Sequence, residues 1–369
     1  MEIRGHSRFK FFFTQMTTDV RRFSRVRSEA SPYNPSFPMS SEFTYKASGV
    51  DIKEAASLVG DIGELRRRTE GRRSLMGAFG LFAATYDLSR YKEPVIMTGC
   101  DGVGTKLELL LEHDFLEIAG KDLVAMNVND ILTTGGDPLM FLDYVGIGRI
   151  DKTRIKRLIA GMAEHLESCD CILAGGETAE MPGIVPDGII ELSGFCVGAA
   201  EKSALVDPTR IAVGDVLVGY PSDGFHANGW SLIRRILKAN PSLIDASEWE
   251  SFLAPTRLYH DVVAGLKEHQ IDIKAMAHIT GGGLPENLER LLGVKGADIT
   301  IPRWNLGAVG KVLAFVEDAE AVNTFNMGWG WVAIVPAGQA EAAAAFHPGA
   351  RSIGTITDSG EVKVTVANS

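Results

Sequence analysis

The sequence predicts an α/β protein of two domains, preceded by an N-terminal extension. Short apolar runs rich in Val and Ile, which are typical of buried strands, alternate with longer segments whose apolar residues recur at helical spacing. The 369 residues are enough for two cores of ordinary size. A turn at Val213-Gly214-Asp215, followed by a new apolar run, predicts the start of a second domain. We therefore expect the extension over residues 1–43, an N-terminal domain over 44–208 and a C-terminal domain over 209–369.

The predicted elements follow from apolar periodicity and from the turn residues between them. Helical spacing begins at Ile52, after a possible cap at Asp51. The other predicted helices are 116–134, Ile155–Leu166, Trp230–Lys238, Thr256–Lys267, Leu284–Leu292 and Ala340–Phe346. The predicted strands are Val95–Cys100, Leu139–Gly148, Cys171–Ala174, Ile189–Ala199, Val216–Tyr220, Trp331–Val335, Ile353–Ile356 and Val362–Val366.

Composition excludes several classes of protein. Hydrophobic residues make up 45% of the chain and charged residues 23%, as in a soluble globular protein. Apolar runs end well before the ~18 residues that a membrane span requires. The net charge of −10 argues against nonspecific binding to nucleic acid. The four cysteines lie in apolar segments, and Cys169-Asp170-Cys171 is more typical of free buried thiols than of a metal site. We expect a reducing, cytoplasmic location.

The N-terminal extension differs in kind from the rest of the chain. Residues 1–39 contain seven Arg or Lys residues and three acidic residues. This basic, Ser-containing composition faintly resembles an organelle transit peptide. A disordered tail, or an upstream start codon with Met39 as the true first residue, are the alternatives that we favour.

The most informative stretch follows the predicted strand Val95–Cys100. Asp101 ends this strand, a glycine turn containing Gly102 and Gly104 comes next, and Thr105 and Lys106 precede a helical pattern. Free backbone N–H groups and a lysine suit phosphate, and a carboxylate suits a divalent cation. The spacing is neither that of a P-loop nor that of a dinucleotide-binding fingerprint. A plain turn with a solvated lysine is therefore the open alternative.

Polar residues in the predicted helix 116–134 are unexpected, because the helix is otherwise apolar. Asp122 and Asn129 are seven residues apart and share a face, and Asn127 and Asp130 are three apart. A buried carboxylate without a partner costs several kcal/mol, so these groups need partners. A bound cation would satisfy them, and so would hydrogen bonds to neighbouring backbone.

A second predicted strand also leads into glycines and a carboxylate. Cys171–Ala174 is followed by Gly175, Gly176 and Glu177, much as the first strand is followed by Asp101. Ligands of α/β folds collect at strand ends. The coincidence predicts a site for a polyphosphate and a metal ion.

Two loops of the predicted second domain are suited to an anion. Ser222–Gly229 precedes the helix Trp230–Lys238, and Thr280–Gly283 precedes the helix Leu284–Leu292, so each offers free N–H groups at a helix start. His226 is the candidate acid or base because imidazole titrates near neutrality. The alternative is a turn with a surface histidine.

Nine motifs, in order, make the chain resemble a known family. They are 45–51 (Tyr-Lys-Ala-Ser-Gly-Val-Asp), 101–106 (Asp-Gly-Val-Gly-Thr-Lys), 129–130 (Asn-Asp), 175–183 (Gly-Gly-Glu-Thr-Ala-Glu-Met-Pro-Gly), 194–198, 226–229, 253–257, 278–283 (His-Ile-Thr-Gly-Gly-Gly) and 325–328. In these motifs the chain resembles the aminoimidazole ribonucleotide (AIR) synthetases, or phosphoribosylformylglycinamidine cyclo-ligases. The resemblance covers residue 44 to the C-terminus.

The resemblance implies two α/β domains with mixed sheets, and a homodimer in which the N-terminal sheets of two subunits form a β-barrel. It implies that ATP phosphorylates the amide oxygen of formylglycinamidine ribonucleotide, after which the amidine nitrogen closes the imidazole ring. ATP and Mg²⁺ are the implied cofactors. The substrate is a small molecule, and neither nucleic acid nor a membrane is an expected partner.

The resemblance also implies roles for individual residues. Asp101, Asp130 and Glu177 would bind the metal, with Asp122 and Asn129 supporting them. Gly102, Gly104, Thr105, Lys106 and Gly176 would bind the triphosphate. Ser222, Gly224, His226, Asn228, Gly229, Thr280, Gly281 and Gly282 would bind the substrate. His226 would transfer protons, and Asp101 and Lys106 would act with it in catalysis.

One position departs from the family pattern. Gly63 stands where family members often carry a lysine implicated in nucleotide binding. The basic cluster Arg66–Arg68 with Arg72-Arg73, or Lys46, are the candidates to replace it. The cluster is interpreted either as a solvated helix end, which we favour slightly, or as a positive flap over an anionic ligand.

Three rival functions remain to be separated from the cyclo-ligase. Selenophosphate synthetase and thiamine-monophosphate kinase belong to the same superfamily and share an acid-rich Mg²⁺–ATP site. The stretches 175–183 and 278–283 match the cyclo-ligase better, and no reactive cysteine is evident near the N-terminus. The third rival is a non-catalytic nucleotide-binding scaffold, against which the presence of every required carboxylate argues.

Overall fold

Two β-sheets, one in each half of the chain, organise the residues that the computed structural model describes, namely 52–77 and 83–367. The predicted extension over 1–43 and the candidate Lys46 lie outside these residues. The two sheets pack within one unit of the chain, and the boundary between residues 208 and 209 stays a prediction. Among the described helices, none is both long and apolar enough to cross a membrane.

The described residues of the first half form four strands and four helices. They are α1 (Ile52–Arg68), β1 (Pro94–Gly102), α2 (Lys106–Glu112), α3 (Leu116–Thr133), β2 (Asp137–Ile147), α4 (Lys152–Ser168), β3 (Ile172–Glu180) and β4 (Ile190–Glu201). The strand order is β1-β4-β2-β3. β4 is antiparallel to β1 and β2, and β3 is parallel to β2. The carboxyl ends of β1, β2 and β3 therefore lie at the same edge.

Helices α3 and α4 cover one face of this sheet and approach each other closely. A Cβ added to Gly120 of α3 would lie 2.1 Å from Leu158 O, and one added to Gly161 of α4 would lie 2.0 Å from Glu117 O. Glycine at both positions therefore lets the two backbones meet. Because α3 also packs on β1 and β4, its polar residues lie next to the end of β1.

The second half contains a six-stranded sheet. Its elements are β5 (Val216–Pro221), α5 (Trp230–Ala239), α6 (Trp249–Phe252), α7 (His260–Glu268), β6 (Ala275–His278), α8 (Gly283–Leu292), β7 (Gly296–Pro302), α9 (Gly307–Leu313), α10 (Asp318–Thr324), β8 (Trp329–Val335), α11 (Ala340–Ala345), β9 (Arg351–Thr357) and β10 (Val362–Ala367). The order is β10-β7-β9-β5-β8-β6, in which β10 and β7 are parallel and the other pairs antiparallel. The predicted mixed α/β fold is confirmed.

Several predicted boundaries are wrong. The predicted helix Thr256–Lys267 begins only at His260, and residues 256–259 have no regular structure. The strand predicted to end at Ala174 runs on to Glu180, so Glu177 lies inside β3 and not at its end. Elements that the sequence analysis did not predict are α6, β6, β7, α9 and α10. The first sheet is an open sheet of four strands in a single chain, and the dimeric barrel stays a prediction.

The basic cluster at the end of α1 is partly buried and partly exposed. Arg66 is 5% exposed and pairs with Glu70 at 2.8 Å. Arg73 Nε lies 3.2 Å from the carboxylate of Asp170. Arg67, Arg68 and Arg72 are exposed, which agrees with the favoured solvated helix end, and the positive flap stays a prediction. Gly63, where family members often carry a lysine, is buried in α1.

Candidate functional site

Two carboxylates come together where α3 crosses the end of β1. Asp101 is the penultimate residue of β1, and Asp130 Cβ lies 3.8 Å from a Cβ added to Gly99 of the same strand. Burial raises the pKa of Asp101; its hydrogen bond from the Gly102 amide opposes the rise, and the negative charge of Asp130 adds to it. The Asp130 side chain is 50% exposed. A pair of carboxylates that repel each other in this way suits a hard divalent cation.

His278, at the end of β6, joins this pair from the second half of the chain. Its Nδ1 lies 3.1 Å from Asp130 Oδ1, and its Nε2 lies 3.3 Å from Asn129 Nδ2. The side-chain NH2 group of Asn129 can only donate, so Nε2 of His278 accepts from it. Nδ1 of His278 therefore carries the ring proton and donates it to Asp130. The sequence analysis did not select His278. The signal available was its place at the start of the 278–283 motif, three residues before the glycine run 281–283.

Glu177 is not brought to the same point. In the register of the first sheet Asp101 pairs with Gly194, Gly194 with Asp143, and Asp143 with Gly176. Two strands therefore separate Asp101 from Gly176, which is about 14 Å at the usual strand spacing. Among the described residues, no three His, Cys, Asp or Glu side chains converge to hold a metal. The predicted three-carboxylate set is thus not assembled in this structure.

Asp143 is a buried carboxylate that the sequence analysis missed. Burial raises its pKa to about 7, and the charge of Glu177 adds to the rise. It is 8% exposed, and a Cβ added to Gly176 would lie 2.3 Å from its Oδ1. The signal was its position between Phe141 and Val145 on the apolar face of a strand, where a carboxylate is unexpected.

Lys106 does not face a phosphate site, which corrects the role predicted for it. The side chain is fully buried, its Nζ lies 2.8 Å from Asp122 Oδ2, and it donates to Ala254 O at 2.7 Å. Burial lowers the pKa of Lys106, and Asp122 opposes this. The alternative of a solvated lysine is wrong as well, because the glycine turn directs this side chain into the protein.

Asp122, Asn127 and Asn129 of α3 have partners within the protein and need no bound cation, whereas the half-exposed Asp130 stays available for one. Asp122 Oδ1 accepts the N–H and the hydroxyl of Thr256 at 2.6 and 2.7 Å. Asn129 donates to Arg257 O at 2.8 Å and accepts from Tyr259 N at 3.0 Å. We refer to residues 254–259 as the clamped segment. Its attachment to α3 joins the first half of the chain to the second.

Asn127 serves β1 in the same way. Its Oδ1 accepts from the N–H of Asp101 at 2.9 Å, and its Nδ2 donates to Asp101 O at 3.2 Å and to Leu123 O at 2.9 Å. A Cβ added to Gly194 would lie 2.6 Å from the same Nδ2. Through Asn127, α3 therefore fixes the backbone of Asp101.

Three glycine-rich turns lie beside the Asp101–Asp130 pair. Thr105 Oγ1 lies 3.2 Å from Ser231 Oγ, at the start of α5. A Cβ added to Gly104 would lie 3.8 Å from Ala227 O, and one added to Gly281 would lie 3.5 Å from Asn228 Oδ1. The turns 102–105, 222–229 and 280–283, predicted to bind phosphate and substrate, are therefore neighbours.

Buried asparagines hold two of these turns. Asn326 donates to Gly224 O at 2.9 Å and accepts from the Ser222 hydroxyl at 3.0 Å. Asn287 donates to Gly283 O at 2.8 Å and accepts from the Thr280 hydroxyl at 3.2 Å. The hydroxyls predicted to bind substrate thus stabilise the turns themselves.

Two positions in these turns require glycine, and one side-chain donor there has no partner within the described part of the chain. Gly229 and Gly282 are the N-caps of α5 and α8, with φ of 79° and 88°. Residues with a side chain rarely adopt a φ in this range, so both positions favour glycine. Asn228 Nδ2 is buried and has no hydrogen-bond partner among the described residues. It is therefore the side-chain donor in these turns that is best placed for a ligand.

His226 is a packed, neutral histidine. It is 1% exposed, and a Cβ added to Gly330 of β8 would lie 2.4 Å from its Cε1. Burial, followed by the nearby positive groups, lowers its pKa well below the ordinary value. Its Nε2 accepts from Arg257 N at 3.4 Å. The surface-histidine alternative is wrong, and the ring has no side open to a substrate for the predicted proton transfer.

Comparison with known proteins gives matches over most of the chain. The family described as "AIR synthase related protein" matches with its N-terminal domain over residues 83–200 and with its C-terminal domain over 212–367. Phosphoribosylformylglycinamidine cyclo-ligase from Burkholderia cenocepacia (strain HI2424) is 42% identical over 348 residues, covering 90% of this chain and 98% of the relative. The enzyme of the same name from Burkholderia multivorans is 43% identical over 319 residues, covering 84% and 90%.

Two solved structures share the fold. Hydrogenase maturation protein HypE in complex with ATP has a TM-score of 0.62 and 19% identity, covering 85% of this chain and 91% of that one. Thiamine-monophosphate kinase from Stenotrophomonas maltophilia has a TM-score of 0.62 and 17% identity, covering 83% and 96%. At these identities the likeness shows the fold alone.

Replacing Asp143 by Asn should stabilise the ligand-free protein, and more so at higher pH. A folded-state pKa of about 7 against 3.8 means that the stability contributed by protonated Asp143 is complete below pH 3.8 and lost as the pH rises through 7. Asparagine has no charge to bury, so D143N should gain up to about 4 kcal/mol at pH 8 and little near pH 4. Urea unfolding across this range measures the difference.

The exposed Asp298 of β7 supplies the matched control. The free energy of unfolding of D298N should equal that of the unsubstituted protein at every pH. A D143N curve that stays parallel to that of the unsubstituted protein would contradict the buried-carboxylate account.

Proposed function

The chain belongs to the AIR synthase related family, and from that premise we propose that it is a phosphoribosylformylglycinamidine cyclo-ligase. It converts formylglycinamidine ribonucleotide into aminoimidazole ribonucleotide with ATP, releasing ADP and phosphate, in purine biosynthesis. The observation that carries the proposal is the 42% identity to cyclo-ligases over 90% of the chain. The family resemblance predicted from the nine motifs is confirmed.

The chemistry requires an inert amide oxygen to become a leaving group. ATP supplies the phosphoryl group, and Mg²⁺ neutralises the charge of its phosphates. The chain would hold the cation with Asp101 and Asp130, whose oxygens and mutual repulsion fit a divalent ion. The backbone N–H groups of residues 103–105 lie beside these carboxylates and would donate to phosphate oxygens, whereas that of Gly102 is bonded to Asp101. ATP binding is also supported by the shared fold with an ATP complex.

Lys106 and Asp122 would not contact the nucleotide themselves, and would act by holding the segment next to it. Their buried pair holds Ala254 and Thr256, and so fixes the clamped segment against α3. Phosphate charge would therefore be met by the cation and the backbone amides. Glu177, on the exposed part of β3, would contribute only to a second cation or a more distant part of the ligand.

The substrate would lie between the turns 222–229 and 280–283. Each turn precedes a helix of ten residues, and the start of such a helix favours an anion. Asn326 and Asn287 donate hydrogen bonds to carbonyl oxygens of the turns, so backbone N–H groups of the turns would be available for a ribose phosphate. Asn228 Nδ2 adds a side-chain donor. Nucleotide and substrate would then face each other across the junction of the two halves, as in-line transfer requires.

The rival functions are less well supported. The likeness to a thiamine-monophosphate kinase is one of fold at 17% identity, whereas the cyclo-ligases match at 42%. A non-catalytic scaffold would not require the half-buried carboxylates of Asp101 and Asp130 to lie together beside α3 and His278. Selenophosphate synthetase remains an outcome of the substrate test below.

We also propose that the enzyme is a cytoplasmic homodimer. Helices cover one face of the first sheet, and its other face exposes Ile96 by 59% and Phe195 by 46%. Phe195 pairs with Cys100 in register, and Thr98 lies between Ile96 and Cys100 on β1. An apolar sheet face of this kind suits a second copy of the same face about a two-fold axis. The four cysteines are free, as expected in a reducing compartment.

Asp101→Asn and Asp130→Asn should each lower kcat/KM by about 100-fold or more, because each removes a charge that balances the cation on the triphosphate. The assay is ADP release with ATP, Mg²⁺ and formylglycinamidine ribonucleotide, and D298N is the control that should keep full activity. ATP turnover with thiamine monophosphate (to ADP) or with selenide (to AMP and phosphate), and none with formylglycinamidine ribonucleotide, would contradict the proposed substrate. Full activity of both Asn variants would contradict the metal-binding role proposed for the two carboxylates, and an unsubstituted protein that turns over ATP with none of these substrates would favour the scaffold.

Phe195→Lys should convert the dimer into a monomer, since it places a charge in the centre of the proposed interface. Sedimentation equilibrium measures the mass. Val213→Lys changes an equally exposed apolar residue outside the sheet and should leave the dimer intact. A monomeric unsubstituted protein, or a dimeric F195K, would refute this interface.

A further inference from the structure

His278 contacts two consecutive residues of α3 with its two ring nitrogens. Nδ1 donates to Asp130 Oδ1 and Nε2 accepts from Asn129 Nδ2. The ring comes from β6, in the second half of the chain, whereas both partners belong to the first. It is therefore the one side chain in this cluster that touches a candidate metal-binding carboxylate from across the junction.

The ring is held so that it cannot follow Asp130. His278 is 5% exposed and pairs in register with Trp331 of β8. Its partner Asn129 is itself fixed by Arg257 O and Tyr259 N in the clamped segment. The hydrogen bond to Oδ1 thus comes from a rigid donor. Asp130, half exposed, would otherwise be free to rotate its carboxylate.

We propose that His278 is a positioning residue for the metal site, which engages Oδ1 of Asp130 and so directs the other carboxylate oxygen toward the nucleotide-bound cation. The inference rests on the function proposed above and adds a residue to it. Outer hydrogen bonds of this kind commonly orient metal-binding carboxylates. Because only Ile279 separates His278 from the turn 280–283, the same residue sets the position of a substrate turn relative to the metal site.

Two amide variants separate the ring nitrogens. In His278→Asn the side-chain N–H can take the place of Nδ1 and still reach Asp130. In His278→Gln the amide oxygen can take the place of Nε2 and keep Asn129, but Asp130 loses its donor. Both side chains are neutral, so charge is matched between them.

The probe is Mn²⁺, whose binding to the full-length protein with a non-hydrolysable ATP analogue is measured by electron paramagnetic resonance. H278Q should weaken Mn²⁺ binding by about 10-fold to 100-fold, and H278N should retain most of the affinity. Binding of the analogue without metal should be the same in all three proteins. A general structural role would not give this selectivity. In the cyclo-ligase assay, the Mg²⁺ concentration for half-maximal rate should rise in H278Q and stay near normal in H278N.

Equal loss of Mn²⁺ affinity in both variants, or no loss in either, would overturn the proposal. If H278Q does not fold, H278A takes its place as the variant without a donor to Asp130: loss in H278A with retained affinity in H278N supports the role of the Nδ1 donor, and retained affinity in both, or a large loss in folded H278N, refutes it. The Mn²⁺ measurement needs no turnover. It therefore stands even if the unsubstituted protein releases no ADP with formylglycinamidine ribonucleotide, a result that would reject the proposed function alone.

Discussion

The attachment of α3 to the clamped segment by buried polar side chains is the constraint on which the rest of the site depends. Lys106 and Asp122 are both fully buried, and desolvating two charges is costly unless every lone pair and proton is satisfied. Here Asp122 receives Lys106 and both donors of Thr256, and Lys106 also reaches Ala254 O. Asn129 and Asp130 follow two helical turns later on the same side of α3. Fixing the helix at Asp122 therefore fixes them too.

Asp122 and Asp130 of α3 have different roles, which explains why one is buried and the other half exposed. Asp122 is paired within the protein and serves structure, whereas Asp130 is half exposed and is held by His278. Asn127 fixes the backbone of Asp101, so the two outward-facing carboxylates are each supported by a buried neighbour. The glycine turns are supported in the same way by Asn287 and Asn326. Rigid support behind exposed groups is what a site for charged ligands requires.

The sequence was sufficient to identify the fold class, the family and the Asp101–Asp130 pair, because these depend on periodicity and on local motifs. It could not assign partners to the polar residues of α3, since a cation and backbone groups satisfy a carboxylate equally well. The direction of Lys106 is set by tertiary packing and not by its motif. Glu177 was misplaced because two successive glycines, Gly175 and Gly176, are typical of a strand end, although here Gly176 lets β3 pass close to Asp143. His278 has no periodic signal that marks it.

Amide hydrogen exchange at Thr256 and Tyr259 tests the central claim most directly. Both N–H groups lie in a segment without regular secondary structure, and their acceptors are Asp122 Oδ1 and Asn129 Oδ1 on α3. The account predicts exchange as slow as that of the buried strand β8, since both amides open only when the two halves separate. Exchange as fast as at the exposed turn of Asp187 and Gly188 would contradict it.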